Sequence, residues 1–327
     1  MVQTVLVTGA SGFIALHIVE KLLKEGNFKI RGTVRDVNNK EKCKPIYDLV
    51  KDPKYPIELV HADLGEDKGW KEAVEGVDLV LHTASPFFFA DPEKSEEELI
   101  RPAVDGTKRV MEACAAEGSK VQRCIVTSSL ASIMGCEKPE GHIFTEKDWS
   151  DPEQCDGYRL SKTLAEKTAW DFVKSNKGHT FELATINPSM VIGPVRGRPG
   201  TSVNMVKAMM KGEKPQMVGI GFVDVREVAE AHVKALTMPE AVGERFMLSA
   251  DNLLMKDAAE WIKEVYESKG YGPFDYINEM EGDRKKIPKL ADGSKVTTVM
   301  DVKYHDLKQS VLDTCESLIQ NGLVKPE

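Results

Sequence analysis

The 327-residue sequence contains no CxxC pair and no compact Cys/His cluster, so no metal site is expected. Its six cysteines, Cys43, Cys114, Cys124, Cys136, Cys155 and Cys315, are scattered in the manner of reduced thiols. No apolar run approaches the roughly 20 residues needed to span a bilayer, which argues against a membrane protein. Long runs of one charge sign are missing too. With 44 basic and 52 acidic residues the formal net charge is −8, the wrong sign for neutralising nucleic-acid phosphates. The first apolar strand begins at Thr4, which leaves no room for a signal or transit peptide, and the tail from Val324 to Glu327 carries no lipidation or peroxisomal address. A cytoplasmic location is the resulting expectation. No internal repeat or low-complexity segment occurs.

What is present is an ordinary globular composition, 41% hydrophobic and 29% charged. A chain of this size hides about 75% of its unfolded surface. The first half alternates short β-rich runs with helical periods, the pattern of βαβ units. Strands are expected at 4–7, 29–34, 57–61, 77–82, 123–127 and 181–186, and the fourth is nearly all apolar, as in a strand covered on both faces. Between the first two strands, Ile14, Ile18 and Leu22 recur at the spacing of a buried helical stripe. The expected fold is α/β, a doubly wound (Rossmann) parallel sheet with a smaller, mainly C-terminal lobe whose helices lie near 256–268 and 305–321. The segment 194–200 has the composition of a mobile loop.

The turn Val7-Thr8-Gly9-Ala10-Ser11-Gly12-Phe13-Ile14-Ala15 leaves the first strand and opens the first helix. Glycine allows a tight turn and close approach of backbone to a pyrophosphate, and the helix N-terminus offers free N–H donors. Ala15 stands where a third glycine would permit close helix–strand packing. A glycine turn with a strand before it and a helix after it points to dinucleotide binding. Strand two ends Val34-Arg35-Asp36, and an arginine there accepts the 2′-phosphate of NADP(H). Lys42 adds a second charge, while Asp36 keeps NAD open. After strand three, Asp63, followed by Leu64, is placed to receive the adenine amino group or to cap the next helix. The dinucleotide-binding domain is expected over 1–187, with strand elements returning at about 223–248. Segments 188–222 and 249–327 then make the substrate lobe.

A tyrosine titrates near 10 and needs help to act as an acid or base at neutral pH. A lysine one helical turn away favours the phenolate and lowers that value. The YxxxK pattern occurs at Tyr47/Lys51, Tyr158/Lys162 and Tyr304/Lys308. Only Tyr158 lies between strands five and six, on a helix able to border a nicotinamide. The other two are expected in polar helices far from any strand-end crevice. Strand five ends Thr127-Ser128-Ser129, and one of these serines can polarise a carbonyl oxygen. Successive residues of a strand face opposite sides, so only one of them serves, and spacing does not choose.

These segments, with Leu81-His82-Thr83-Ala84-Ser85-Pro86, Thr163-Leu164-Ala165-Glu166 and Phe222-Val223-Asp224-Val225-Arg226, resemble the extended short-chain dehydrogenase/reductases over nearly the whole chain. The similar branch holds dihydroflavonol reductases, cinnamoyl-CoA reductases and yeast methylglyoxal/ketone reductases. The resemblance implies NADPH-dependent reduction of a small-molecule carbonyl, with Ser129, Tyr158 and Lys162 catalytic. It implies Gly9, Ser11, Gly12, Phe13, Ile14, Arg35, Lys42, Asp63, Leu64, Thr83 and Ala84 at the cofactor. Pro188 and Val191, with the backbone at Met190, would lie near the carboxamide. It places Met134 where flavonoid reductases carry an asparagine; a thioether cannot hydrogen-bond catechol hydroxyls as an amide can, so a general aldehyde or ketone pocket is expected. Phe87, Phe88, Met134 and Met205 are candidate walls. A monomer or homodimer is implied. Two alternatives share the fold: an NAD-retaining nucleotide-sugar epimerase or dehydratase, and a non-catalytic NADP-sensing protein.

Overall fold

The computed structural model describes residues 2–86, 94–175, 181–215, 219–280, 282 and 290–326. The first βαβ series runs β1 (Thr4–Thr8), α1 (Phe13–Glu25), β2 (Lys29–Val34), α2 (Lys40–Tyr47), β3 (Glu58–His61), α3 (Trp70–Val74) and β4 (Leu79–His82). It continues through α4 (Arg101–Cys114), β5 (Arg123–Thr127), α5 (Gly157–Ser175) and β6 (Glu182–Pro188). Then come β7 (Met190–Ile192), α6 (Thr201–Met210), β8 (Gly219–Asp224), α7 (Val225–Ala235), β9 (Arg245–Leu248) and β10 (Asp251–Leu254). Among the described residues, α8 (Met255–Tyr266), α9 (Ser294–Met300) and α10 (Leu307–Gln320) are the α-helices that follow.

The main sheet has the order β3-β2-β1-β4-β5-β6-β9, and every neighbouring pair in it is parallel. Parallel strands need helical crossovers, so both faces are covered and the central strands β1 and β4 are buried along almost their whole length. The apolar stripe of α1 buries Ala15, Ile18, Val19, Leu22 and Leu23 in the core on one face, where α7 contributes Val228 and Ala231. The other face holds Trp70, Val110, Met111 and Ala169 from α3, α4 and α5. Strand order reverses between β1 and β4, and ligands of open α/β sheets bind at the carboxyl ends of strands at such a point. The functional crevice therefore belongs at Thr8 and His82.

A second sheet, β10-β8-β7, packs with α6, α8 and α10 around Phe222, Leu253, Ile262 and Leu318. Arg245–Leu248 pairs beside β6 in the main sheet, whereas Gly219–Asp224 pairs with β7 and β10.

Two expectations are corrected. The segment from Pro194 to Gly200 reads as a mobile loop, but its first half is tied down at several atoms. Pro194 O meets His17 Nε2 at 2.7 Å, Val195 N donates to Ser317 Oγ at 2.8 Å, and Arg196 pairs with Glu20 at 3.0 Å. Glycine and proline content reports backbone freedom but not such distant partners. Tyr304 is not in a helix: it precedes α10, and its hydroxyl donates to Gly293 O at 2.9 Å and lies 3.3 Å from Ser249 N. It braces the end of β9 against the 290s segment. Tyr47, in contrast, ends α2 and is exposed. No described helix is long and apolar enough to cross a membrane.

Candidate active site

The glycine turn forms the first wall of the crevice. Gly9 has φ +64°, and a side chain there would also crowd Ala84, whose Cβ lies 3.1 Å from the position a Cβ would take. Gly32 in β2 leaves the space that Ala10 fills, since a Cβ at Gly32 would come within 2.7 Å of Ala10 Cβ. Gly12 is the N-cap of α1 and offers no side-chain cap. The first N–H groups of that helix, from Phe13 onward, find no acceptor among the described residues until Leu16 N reaches Gly12 O at 2.9 Å. Unpaired donors at a helix start make an anion cradle.

The second wall follows β4 and is stitched to the first. Thr8 Oγ1 accepts from Ala84 N at 3.0 Å and contacts His82 Nδ1 at 2.9 Å, while Thr83 Oγ1 donates to Thr8 O at 2.5 Å. Burial, helped by the Lys162 charge, pushes the His82 pKa down to about 3 and keeps the ring neutral.

Strand β5 supplies the serines, and here the strand alternation is resolved. Ser128 Oγ donates to Glu166 Oε2 at 2.5 Å, on the buried side. Ser129 faces the crevice, where Tyr158 Oη donates to its Oγ at 3.3 Å. Ser129 Oγ also accepts from Ala131 N at 3.1 Å, so both its acceptor positions are used and its own proton is available for a substrate oxygen. Thr127, one residue earlier, meets His232 Nε2 at 2.6 Å, and His232 Nδ1 donates to Val228 O at 2.7 Å. Burial lowers the His232 pKa to about 4, so this ring is a neutral brace that fixes the strand end to α7.

Helix α5 brings the phenol and ammonium. Lys162 Nζ lies 5.6 Å from the centre of the Tyr158 ring and donates to Ser85 Oγ at 2.8 Å. On balance the Tyr158 pKa is raised rather than lowered: burial dominates and pushes the phenol up to about 12, against a smaller lowering by the Ser129 contact. Burial also pulls Lys162 down to about 8. The phenol thus stays protonated at neutral pH, the state a proton donor requires.

Below the crevice a buried carboxylate organises three elements. Glu166, one turn after Lys162, pairs with Arg245 of β9 at 2.6 Å and accepts from Ser132 Oγ at 2.5 Å and Asn187 Nδ2 at 2.7 Å. Arg245 Nη1 also donates to the carbonyls of Glu146 and Asp148 at 2.8 and 2.6 Å, and its guanidinium stacks 3.8 Å over Trp149. Burial works to raise the Glu166 pKa, but Arg245 and the two serine hydroxyls overcome it and leave it lowered. Neither Arg245 nor Ser85 was a site candidate from sequence. The readable signals were an arginine opening an otherwise apolar strand and a hydroxyl three residues past β4.

The remaining candidates fall around this centre. Arg35 and Lys42 are exposed at the end of β2 and the start of α2, and the Arg35 guanidinium makes no ion pair among the described residues. Asp36 is occupied, its Oδ1 accepting from Asn38 N at 2.9 Å. Asp63 Oδ1 closes its own turn onto Gly65 N at 2.8 Å, whereas the residue before α3 is Gly69, so Asp63 does not cap that helix. Leu64 packs against Gly106 of α4. Pro188 ends β6 and Val191 is buried in β7. Met134 packs against the small cluster of Leu130, Ile133, Phe144 and Met247, and Met205 joins the core of the second sheet. Phe87, Phe88 and Phe89 lie outside the described residues.

The NAD dependent epimerase/dehydratase family matches residues 5–248, from β1 through β9. The chain belongs to that family. Among family relatives, tetraketide alpha-pyrone reductase 2 of Arabidopsis thaliana is 33% identical, over 98% of this chain and 99% of that one. The NADPH-dependent methylglyoxal reductase GRE2 of Saccharomyces cerevisiae is 31% identical over 97% of this chain and 98% of its own. A crystal structure of Gre2 from Candida albicans in complex with NADPH superposes with a TM-score of 0.82 at 34% identity, covering 97% of this chain and 99% of that one. Both the family and the doubly wound fold implied by the sequence resemblance are thereby established.

Proposed function

We propose that this protein is an NADPH-dependent carbonyl reductase that converts an aldehyde or ketone to an alcohol, with Tyr158 as proton donor. The observation that carries the reading is the 3.3 Å contact of Tyr158 Oη with Ser129 Oγ, beside a buried Lys162 at the crevice where strand order reverses. The similarity to reductases named for NADPH and methylglyoxal supports it.

The residues present fit the dinucleotide. Gly9, Ser11, Gly12, Phe13 and Ile14 cradle the pyrophosphate with unpaired helix-start donors. Arg35 and Lys42 take the 2′-phosphate; Asp36, turned onto its own backbone, leaves the arginine as the charge that selects. Asp63 and Leu64 border the adenine. Thr83, Ala84, Pro188 and Val191 line the reacting half, which Tyr158 and Lys162 flank. When bound, NADPH supplies the hydride delivered to the carbonyl carbon. The Ser129 hydroxyl hydrogen-bonds the carbonyl oxygen, keeping its own proton, and holds that oxygen near the phenol. Tyr158 gives up its proton as the alcohol forms, and the Lys162 ammonium steadies the phenolate left behind.

Incubating the protein with aldehydes, α-ketoesters and diketones, and following the loss of NADPH absorbance, tests the assignment. Turnover of at least one class is expected. No turnover with any, or a tightly held NAD that does not exchange, overturns it. Replacing Arg35 by Ala should weaken NADPH by roughly 10–100-fold, the worth of a charged hydrogen bond, and NADH far less. Fluorescence titration with both cofactors checks this; equal weakening would assign Arg35 to adenine stacking or to the fold.

A further inference from the structure

The Lys162 ammonium has three N–H donors and no acceptor. Its side chain is buried, yet among the described residues its one hydrogen-bond partner is Ser85 Oγ at 2.8 Å, and no carboxylate lies within ion-pairing distance. The acid one turn along the same helix, Glu166, is committed to Arg245. Ser85 reaches the ammonium across 77 positions of sequence because the residues before it are fixed. Thr83 Oγ1 and Ala84 N are both bonded to Thr8, so the chain leaving β4 has a set course into the crevice.

From this geometry we infer that Ser85 is a positioning residue of the reduction, its hydroxyl holding Lys162 Nζ beside the Tyr158 ring. The inference rests on the reading of Tyr158 and Lys162 as the acid and its supporting charge. A neutral acceptor suits the duty. A carboxylate in that place would cancel the positive charge where the phenolate needs it, while a hydroxyl aims the ammonium without neutralising it. It also leaves two N–H donors of Lys162 free to face the cofactor ribose and the phenol. Burial, which draws the Lys162 pKa down to about 8, raises the importance of the bond that remains.

The test compares Ser85→Ala and Ser85→Thr in the full chain, using NADPH and the best carbonyl from the substrate panel. The alanine variant should lose roughly ten-fold in kcat, the scale of one hydrogen bond to a charged group, with KM and melting temperature nearly unchanged. The threonine variant, which keeps the hydroxyl, should recover most of the loss. An alanine variant with undiminished kcat overturns the inference, as does a threonine variant no better than alanine. Tyr158→Phe and Lys162→Met run alongside. If both are inactive while Ser85→Ala is fully active, only the role of Ser85 fails; if both stay active, the proton-donor reading fails first.

Discussion

Tyr158→Phe should lower kcat by about 10²–10⁴-fold, the usual contribution of a positioned general acid, while leaving NADPH affinity close to that of the parent. The substitution removes one oxygen from a ring that stays packed on α5. Ser129 keeps its bond from Ala131 N, so the neighbouring backbone has no reason to move. Steady-state kinetics and cofactor titration separate the two quantities, and a variant retaining half the parental rate refutes the assignment. The same pair predicts a pH profile. Burial holds the phenol at about 12, so Tyr158 stays protonated through the working range. Lys162, lowered to about 8, is charged below that value and neutral above it. Reduction should therefore decline as pH rises through about 8, well before the phenol titrates.

Arg245→Met should destabilise the fold by about 3–5 kcal/mol, because it leaves the Glu166 carboxylate buried without its counter-charge. The cost is large because Glu166 is fully enclosed and Arg245 nearly so. Urea unfolding measures it. The double replacement Glu166→Gln with Arg245→Met should cost less than Arg245→Met alone, since no unpaired charge remains. If the two variants unfold at the same urea concentration as the parent, the pair does not anchor α5. The sign of the acid dependence follows from the lowered Glu166 pKa. Its contribution is present above the ordinary glutamate range and is lost as pH falls through the folded value.

The strands that position the crevice were legible because they are apolar and bounded by turn residues. Residues 29–34 and 123–127 were read with the ends that β2 and β5 have in the structure. The glycine turn and the Tyr158–Lys162 pair were legible for the same reason, each fixed by local spacing. What escaped was set by distant partners. β7, β9 and β10 take their places from pairing with β8, β6 and β8, which no local period reveals. Spacing alone does not tell Ser128 from Ser129, which the family resemblance selected; in the structure Glu166 and Tyr158 take them on opposite sides of the strand end. Pro194 and Val195 look free in sequence, yet His17 and Ser317 lie 177 and 122 positions away. Tyr304 mimics a catalytic motif and serves as a strut.

Two threonine hydroxyls, those of Thr8 and Thr83, join the phosphate cradle to the lip after β4. Those two edges of the cleft consequently cannot drift independently, and a dinucleotide meets a receptor that is already assembled there. Little conformational freedom is left for the ligand to freeze at that seam, so affinity reflects contacts made more than order imposed. Loosening the seam with Thr8→Ala should thus register as an entropic penalty on cofactor association, even though Thr8 need never touch the reacting carbonyl.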